Sequence, residues 1–290
     1  MKPVSALGAL LLLSCAPGAV PDSAPAPLLP VEALLDCARE ADATLLSAHR
    51  GGAGPGIPDN SLAALRQSAA LGAAFAEIDL RRTADGEIVL MHDDTLDRTT
   101  TGRGRLDRYA LAELRDLRLR DPRGRETGET VPTLAEAFAV ANETGLLLQL
   151  DPKTVSPLAA ARAASDAGMG GQVVVITNSE ADAAAVLAVD PDIAVSYAIR
   201  SERHLLNTEL DLSRVVSWMG RGVPEARIEA ALTGMGVETA AHDFSAEAEG
   251  RADYALFDRL HVEVLAVDDV AAAVRAVGGA GDHCPTGPAD

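Results

Sequence analysis

Aromatic residues are scarce in this chain: one Trp, three Tyr and four Phe among 290 residues. A core built with so few rings is aliphatic, and Ala, Leu and Val side chains close-pack readily. Positive charge is also in deficit, with 25 Lys and Arg against 43 Asp and Glu and a formal net charge of −18. That balance argues against nucleic acid as a partner, because a phosphate backbone needs a basic surface. A phosphorylated substrate would need local relief from this field, from a metal or from individual Arg and Lys side chains. No glycine-rich phosphate loop opens a first helix, which argues against a doubly wound nucleotide-binding sheet. The leading apolar run, Val4 to Leu13, is too short to span a bilayer as a helix.

That run has another use. Lys2 and Val4–Leu13 have the form of the basic and apolar parts of an export signal. Leu12-Leu13-Ser14-Cys15 resembles a bacterial lipobox, with Cys15 as the lipidated first mature residue; an ordinary cleaved secretory signal is the alternative. Residues 1–15 are assigned to this signal. Residues 16–30, which carry PGAVPDSAPAPLLP, read as a Pro- and Ala-rich extended tether, and residues 31–290 as one folded domain. The expected location is the periplasmic side of a bacterial membrane, with the membrane as a partner through the lipid on Cys15. An exported protein tolerates disulfides, so Cys37 and Cys284, near the two ends of the domain, form one bridge or stay as two thiols.

Past the tether, strand-like and helix-like segments alternate. Apolar runs predict parallel strands at Thr44–His49, Phe75–Arg81, Leu146–Leu150, Gln172–Thr177, Ile193–Ala198, Arg214–Trp218, Val237–Ala241 and Val262–Val267. Helical stretches between them include Ser61–Leu71, Thr133–Thr144, Pro157–Ala167, Ser179–Val189 and Pro224–Leu232. Eight β-α repeats in a chain of this length predict a (β/α)8 TIM barrel. Asp85-Gly86 is a tight-turn signal that leads into a return run, Glu87–His92. So short a link cannot make a parallel crossover, so this pair is a hairpin extension that distorts the barrel. The polar stretch from Arg98 to Thr130, with one short helix near Leu111–Leu117, is a small insertion over the site.

His49, Glu77, Asp79, Asp151 and Asp268 all fall at or just beyond the C-terminal ends of predicted strands, where barrel active sites are built. Glu77 and Asp79 are two apart and share a face. Ile78 and Leu80 claim the buried outer layer, which turns the carboxylates inward, and inward carboxylates need a cation to offset their repulsion. Asp151 can supply a third oxygen. Hard oxygens of this kind suit one divalent cation, Mg²⁺ or Ca²⁺. His49 and His92 each end an apolar run, and two imidazoles can divide proton transfer between them. Arg50 and Lys153 offer cationic contacts to a phosphate.

These elements together resemble the glycerophosphodiester phosphodiesterase family, a branch of the phospholipase-C-like barrel phosphodiesterases. The resemblance rests on His49-Arg50-Gly51, Pro58-Asp59-Asn60-Ser61, Glu77-Ile78-Asp79, Thr83-Ala84-Asp85-Gly86, His92-Asp93, Arg98-Thr99-Thr100, Val131-Pro132-Thr133-Leu134 and Leu150-Asp151-Pro152-Lys153. It covers roughly Thr44 to Lys153. It implies metal-dependent hydrolysis of a small-molecule glycerophosphodiester to sn-glycerol 3-phosphate and an alcohol. His49 and His92 would be the acid and base, Glu77, Asp79 and Asp151 the metal ligands, and Arg50 and Lys153 the phosphate contacts. Asp59 stands where the family has Glu and would support Arg50. Trp218 resembles a strand-end tryptophan that walls the substrate. The terminal Thr-Asp-x-Pro of the family is missing, and Asp268 stands nearest to its place. Two other functions fit the same chain: cleavage of lysophospholipid or sphingomyelin headgroups on this scaffold, and a catalytically silent lipid-anchored binding protein.

Overall fold

The computed structural model describes residues 29–199 and 201–284. The proposed signal, Cys15 and most of the tether lie outside the described residues. Eight strands run parallel: β1 (Leu45–Ala48), β2 (Phe75–Arg82), β4 (Leu147–Pro152), β5 (Val173–Ile176), β6 (Ala194–Tyr197), β7 (Val215–Arg221), β8 (Glu238–His242) and β9 (Val264–Val267). β1 pairs with both β2 and β9, so the sheet closes into a barrel with helices between its strands. The remaining strand, β3 (Ile88–Leu90), lies antiparallel on the outer end of β2. The hairpin expected at Asp85-Gly86 is therefore present, and Gly86 takes the left-handed φ of 92° that this turn needs.

Strand alternation sorts the side chains. Ala76, Ile78 and Leu80 of β2 face outward into the aliphatic layer beneath the helices. Phe75 points inward with the first residues of other strands, including Leu45, Leu147, Ala194 and Val264. Beneath them lies the helix Val31–Ala41, which buries Val31, Leu34, Leu35 and Ala38. That spacing is one face of a helix, and it stoppers the N-terminal end of the barrel. Cys37 on this helix is bonded to Cys284, a sequence separation of 247.

Further up, the interior turns polar. Ser47 Oγ donates to Gln149 Oε1 at 2.8 Å within the barrel. The helix predicted from Ser61 begins at Leu62, and Ser61 is itself the cap, accepting from Ala64 N at 3.1 Å. The insertion carries its own small core of Met91, Leu96, Leu106, Leu114, Leu119 and Val131. Its helix is shorter than expected, ending at Leu114. Among the described residues, no helix is long and apolar enough to cross a membrane.

Candidate active site

The carboxylates converge as the strand spacing predicts. β2 and β4 pair in a register that sets Asp79 beside Asp151. Oxygens of Glu77, Asp79 and Asp151 all lie within 4.8 Å of one another. Glu77 and Asp79 are buried, at 7% and 1% exposure. Each is held by a residue in left-handed backbone. Arg50, with φ 51°, donates its backbone N–H to Glu77 Oε2 at 2.8 Å. Asn60, with φ 52°, brackets Asp79: its Nδ2 donates to Oδ2 at 2.7 Å and its Oδ1 accepts from the Asp79 N–H at 2.9 Å.

The electrostatics of this cluster are unbalanced. Burial, then the charges of Asp79 and Asp151, push the Glu77 carboxyl well above its ordinary range. Among the described residues, Lys153 is the one cation set among the carboxylates, bonded to Asp151 and 3.0 Å from Asp79 Oδ1. Burial disfavours its charge, but Asp79 and Asp151 outweigh this and hold it above the usual lysine value. One ammonium cannot neutralise three carboxylates. Asp79 Oδ1 is buried, with the Lys153 ammonium at 3.0 Å as its partner, and a buried carboxylate cluster of this size stays costly unless further positive charge offsets it. A hard divalent cation fits this donor set.

Each histidine is backed by a carboxylate. His49 begins the 3-10 turn His49–Gly51 directly after β1, and its Nδ1 lies 2.8 Å from Asp268 Oδ1, just past β9. The Asp268 loop is tied down by Glu247, which accepts from the N–H groups of Asp268 and Asp269 at 3.0–3.1 Å. His92 Nδ1 lies 2.8 Å from Asp93 Oδ1. Arg98 grips Asp93 in a fork, at 2.6 and 2.9 Å, and holds its carboxyl well below the usual range. Arg81 donates twice to the His92 carbonyl, at 2.9 and 2.6 Å, and so anchors the backbone of that residue. In both histidines a partner on Nδ1 orients the ring and leaves Nε2 for chemistry.

The other expected residues divide. Lys153 and Trp218 line the same cavity of about 440 Å³ as both histidines and all three carboxylates. Arg50 does not line it: its backbone N–H holds Glu77 from behind, and its guanidinium turns toward Asp59, 3.4 Å away. Asp59 Oδ2 is equally distant from Arg98 and stands between the two arginines.

One feature of the cavity escapes sequence reasoning. Four rings stack along one wall: His49 on Phe244 with centroids 4.1 Å apart, Phe244 on His242 at 3.9 Å, and His242 on Trp218 at 5.2 Å. Burial, with the nearby charges of His49 and Arg221, lowers the His242 pKa to about 4. Its Nδ1 accepts the Phe244 N–H at 3.4 Å. Phe244 carries no motif, and only its place two residues past the end of β8 hinted at a role.

A model of the "Glycerophosphoryl diester phosphodiesterase family" matches residues 49–249. The glycerophosphodiester phosphodiesterase of Caldanaerobacter subterraneus subsp. tengcongensis is 37% identical over 112 residues, 38% of this chain and 46% of that protein. Glycerophosphodiester phosphodiesterase 1 of Bos taurus is 46% identical over 112 residues, 37% of this chain and 33% of that protein. The matched stretch thus spans less than half the length of either curated relative. A glycerophosphoryl diester phosphodiesterase structure from Parabacteroides distasonis superposes with a TM-score of 0.77 at 26% identity, covering 87% of this chain and 93% of that one. An Oleispira antarctica phosphodiesterase, solved with sn-glycerol-3-phosphate, shares the fold with a TM-score of 0.64 at 21% identity, covering 82% of this chain and 98% of that one.

Proposed function

The chain belongs to the glycerophosphoryl diester phosphodiesterase family, and on that premise we propose that it hydrolyses glycerophosphodiesters to sn-glycerol 3-phosphate and an alcohol. The observation that carries this reading is the convergence of two carboxylate-backed imidazoles and three acidic side chains on one cavity. Glu77, Asp79 and Asp151 would hold Mg²⁺ or Ca²⁺, which when bound offsets negative charge on phosphoryl oxygens. Lys153 binds a phosphoryl oxygen. Arg50 Nε is buried without a partner, a donor suited to a second such oxygen.

One histidine takes a proton from the nucleophile while the other delivers a proton to the departing alkoxide. The nucleophile's oxygen bonds to phosphorus as the bond from phosphorus to the alcohol oxygen breaks, and the alcohol oxygen leaves as the neutral alcohol; where the nucleophile is the glycerol 2-hydroxyl, water then opens the cyclic phosphate to sn-glycerol 3-phosphate. Asp268 and Asp93 hold the rings in orientation and stabilise whichever imidazole becomes charged. The nucleophile is the glycerol 2-hydroxyl or water, and detection of a transient cyclic glycerophosphate identifies the first route. Trp218 walls the substrate. The same reading puts the enzyme on the periplasmic side of the membrane, anchored by lipid on Cys15; labelling with a radioactive fatty acid, abolished in Cys15→Ala, tests the anchor.

The test of the activity is release of sn-glycerol 3-phosphate from glycerophosphoglycerol. Release that stops with EDTA and returns with Mg²⁺ or Ca²⁺ supports the proposal. Tight cation binding with no turnover on any diester points instead to a binding protein and overturns it.

A further inference from the structure

Strands β7 and β8 stand across the closed barrel from β2 and β4, which carry the carboxylates. Trp218 and Arg221 both line the cavity there. They are three residues apart, and on an unbroken strand they would point to opposite faces. A bulge resolves this. Trp218 pairs with Ala240, but Gly220 pairs with Ala241 and Arg221 with His242, so Met219 is the extra residue. Such insertions re-aim side chains beside active sites. Gly220 and Gly222 flank Arg221 with φ of 98° and 78°. A Cβ on Gly220 would meet nothing within 4 Å, so backbone conformation, and not space, calls for glycine there.

Arg221 is exposed at the mouth of the cavity, and it forms no ion pair among the described residues. It also borders a second hollow of about 450 Å³, which shares Trp218 and adds Ile199, Met219, Ile228 and Glu225. An alcohol larger than glycerol has room to extend past Arg221 into this hollow. In a chain of net charge −18, an anionic group there has few cations to meet, which makes an unpaired guanidinium at this place selective. The aromatic wall offers a cation little: the open face of Trp218 lies in the hollow that Arg221 also lines. Phe244 is covered on both faces by His49 and His242, and Trp218 gives one face to His242. A quaternary ammonium needs open ring faces and would find a like charge beside them.

Resting on the hydrolase reading above, we propose that Arg221, re-aimed by the β7 bulge, is a specificity residue that selects glycerophosphodiesters whose alcohol carries an anionic group and rejects cationic ones. The chemistry it recognises is a phosphate or carboxylate on the alcohol, bound by the guanidinium fork. Cleavage itself is unchanged: the same P–O bond breaks, and the charged alcohol leaves past Arg221.

The experiment compares kcat/KM at low ionic strength for three substrates, counted per scissile bond: bis(glycerophospho)glycerol, glycerophosphoglycerol and glycerophosphocholine. The expected order is anionic, then neutral, then cationic, with roughly tenfold or more between the extremes, as one well-placed charge contact supplies. R221K keeps the order, and R221E reverses it. A purely structural role for Arg221 would lower all three values together. Turnover with no ranking by charge, or an unchanged ranking in R221E, overturns the inference alone. Absence of turnover on all three overturns the hydrolase reading and this inference with it.

Discussion

His49 and Asp268 stand 219 residues apart in the chain and 2.8 Å apart in the fold. The contact fixes which ring nitrogen faces the cavity, so Asp268→Asn should lower kcat on the order of 100-fold with a smaller change in KM. Steady-state kinetics on glycerophosphoglycerol checks this; an unchanged kcat would remove Asp268 from the mechanism. His242 acts differently. Its pKa falls from 6.5 to about 4 in the folded chain. Between those values the unfolded chain binds a proton that the folded chain refuses, so stability declines as pH drops through that window. The contribution is complete above about pH 6.5 and is lost by about pH 4. Thermal denaturation of wild type should therefore fall more steeply over that range than that of His242→Gln. Parallel slopes would show that the ring titrates normally.

At the ends of β1, β2 and β4, three local devices build the carboxylate cluster: the pleat of β2, the left-handed Arg50 and the left-handed Asn60. Asn60→Gly keeps the backbone conformation and removes the bracket on Asp79. It should weaken Mg²⁺ or Ca²⁺ binding by about 10–100-fold, measured by calorimetric titration, while the circular dichroism spectrum stays unchanged. Much of this was readable before folding. Glu77, Asp79 and Asp151 follow from alternation and strand ends, and the β2–β3 hairpin from one Asp-Gly pair. The role of Asn60 was not readable, because its side chain reaches a strand that starts 15 residues later. The β7 bulge was hidden as well, since the apolar run ends at Met219, the bulged residue itself, while pairing with β8 carries the strand on to Arg221. Nor can periodicity show the stack of His49, Phe244, His242 and Trp218, whose members come from three separate strand ends.

The whole molecule separates stability from chemistry along the barrel axis. The helix Val31–Ala41 and the Cys37–Cys284 bridge close the N-terminal end, among Leu45, Phe75 and Val264. The cavity opens at the other end. Removing the bridge with Cys37→Ser and Cys284→Ser should cost about 2–5 kcal/mol and lower the melting temperature, yet leave kcat at 25 °C near the wild-type value. Loss of kcat in a protein that is still folded would mean that the two ends communicate. Barrel closure brings the domain ends together and so allows the bridge, but the sequence leaves bridge and free thiols as alternatives; that Cys37 sits on a helix beneath the barrel is not legible, because the apolar face of that helix looks like any other.

The most direct test measures the rate of sn-glycerol 3-phosphate release from glycerophosphoglycerol, with saturating Mg²⁺ or Ca²⁺, in wild type, His49→Ala, His92→Ala and Asp79→Asn. Each variant should lose at least about 100-fold in rate while its melting temperature shows that it is folded. A folded His49→Ala or Asp79→Asn protein that turns over at the wild-type rate would contradict the account.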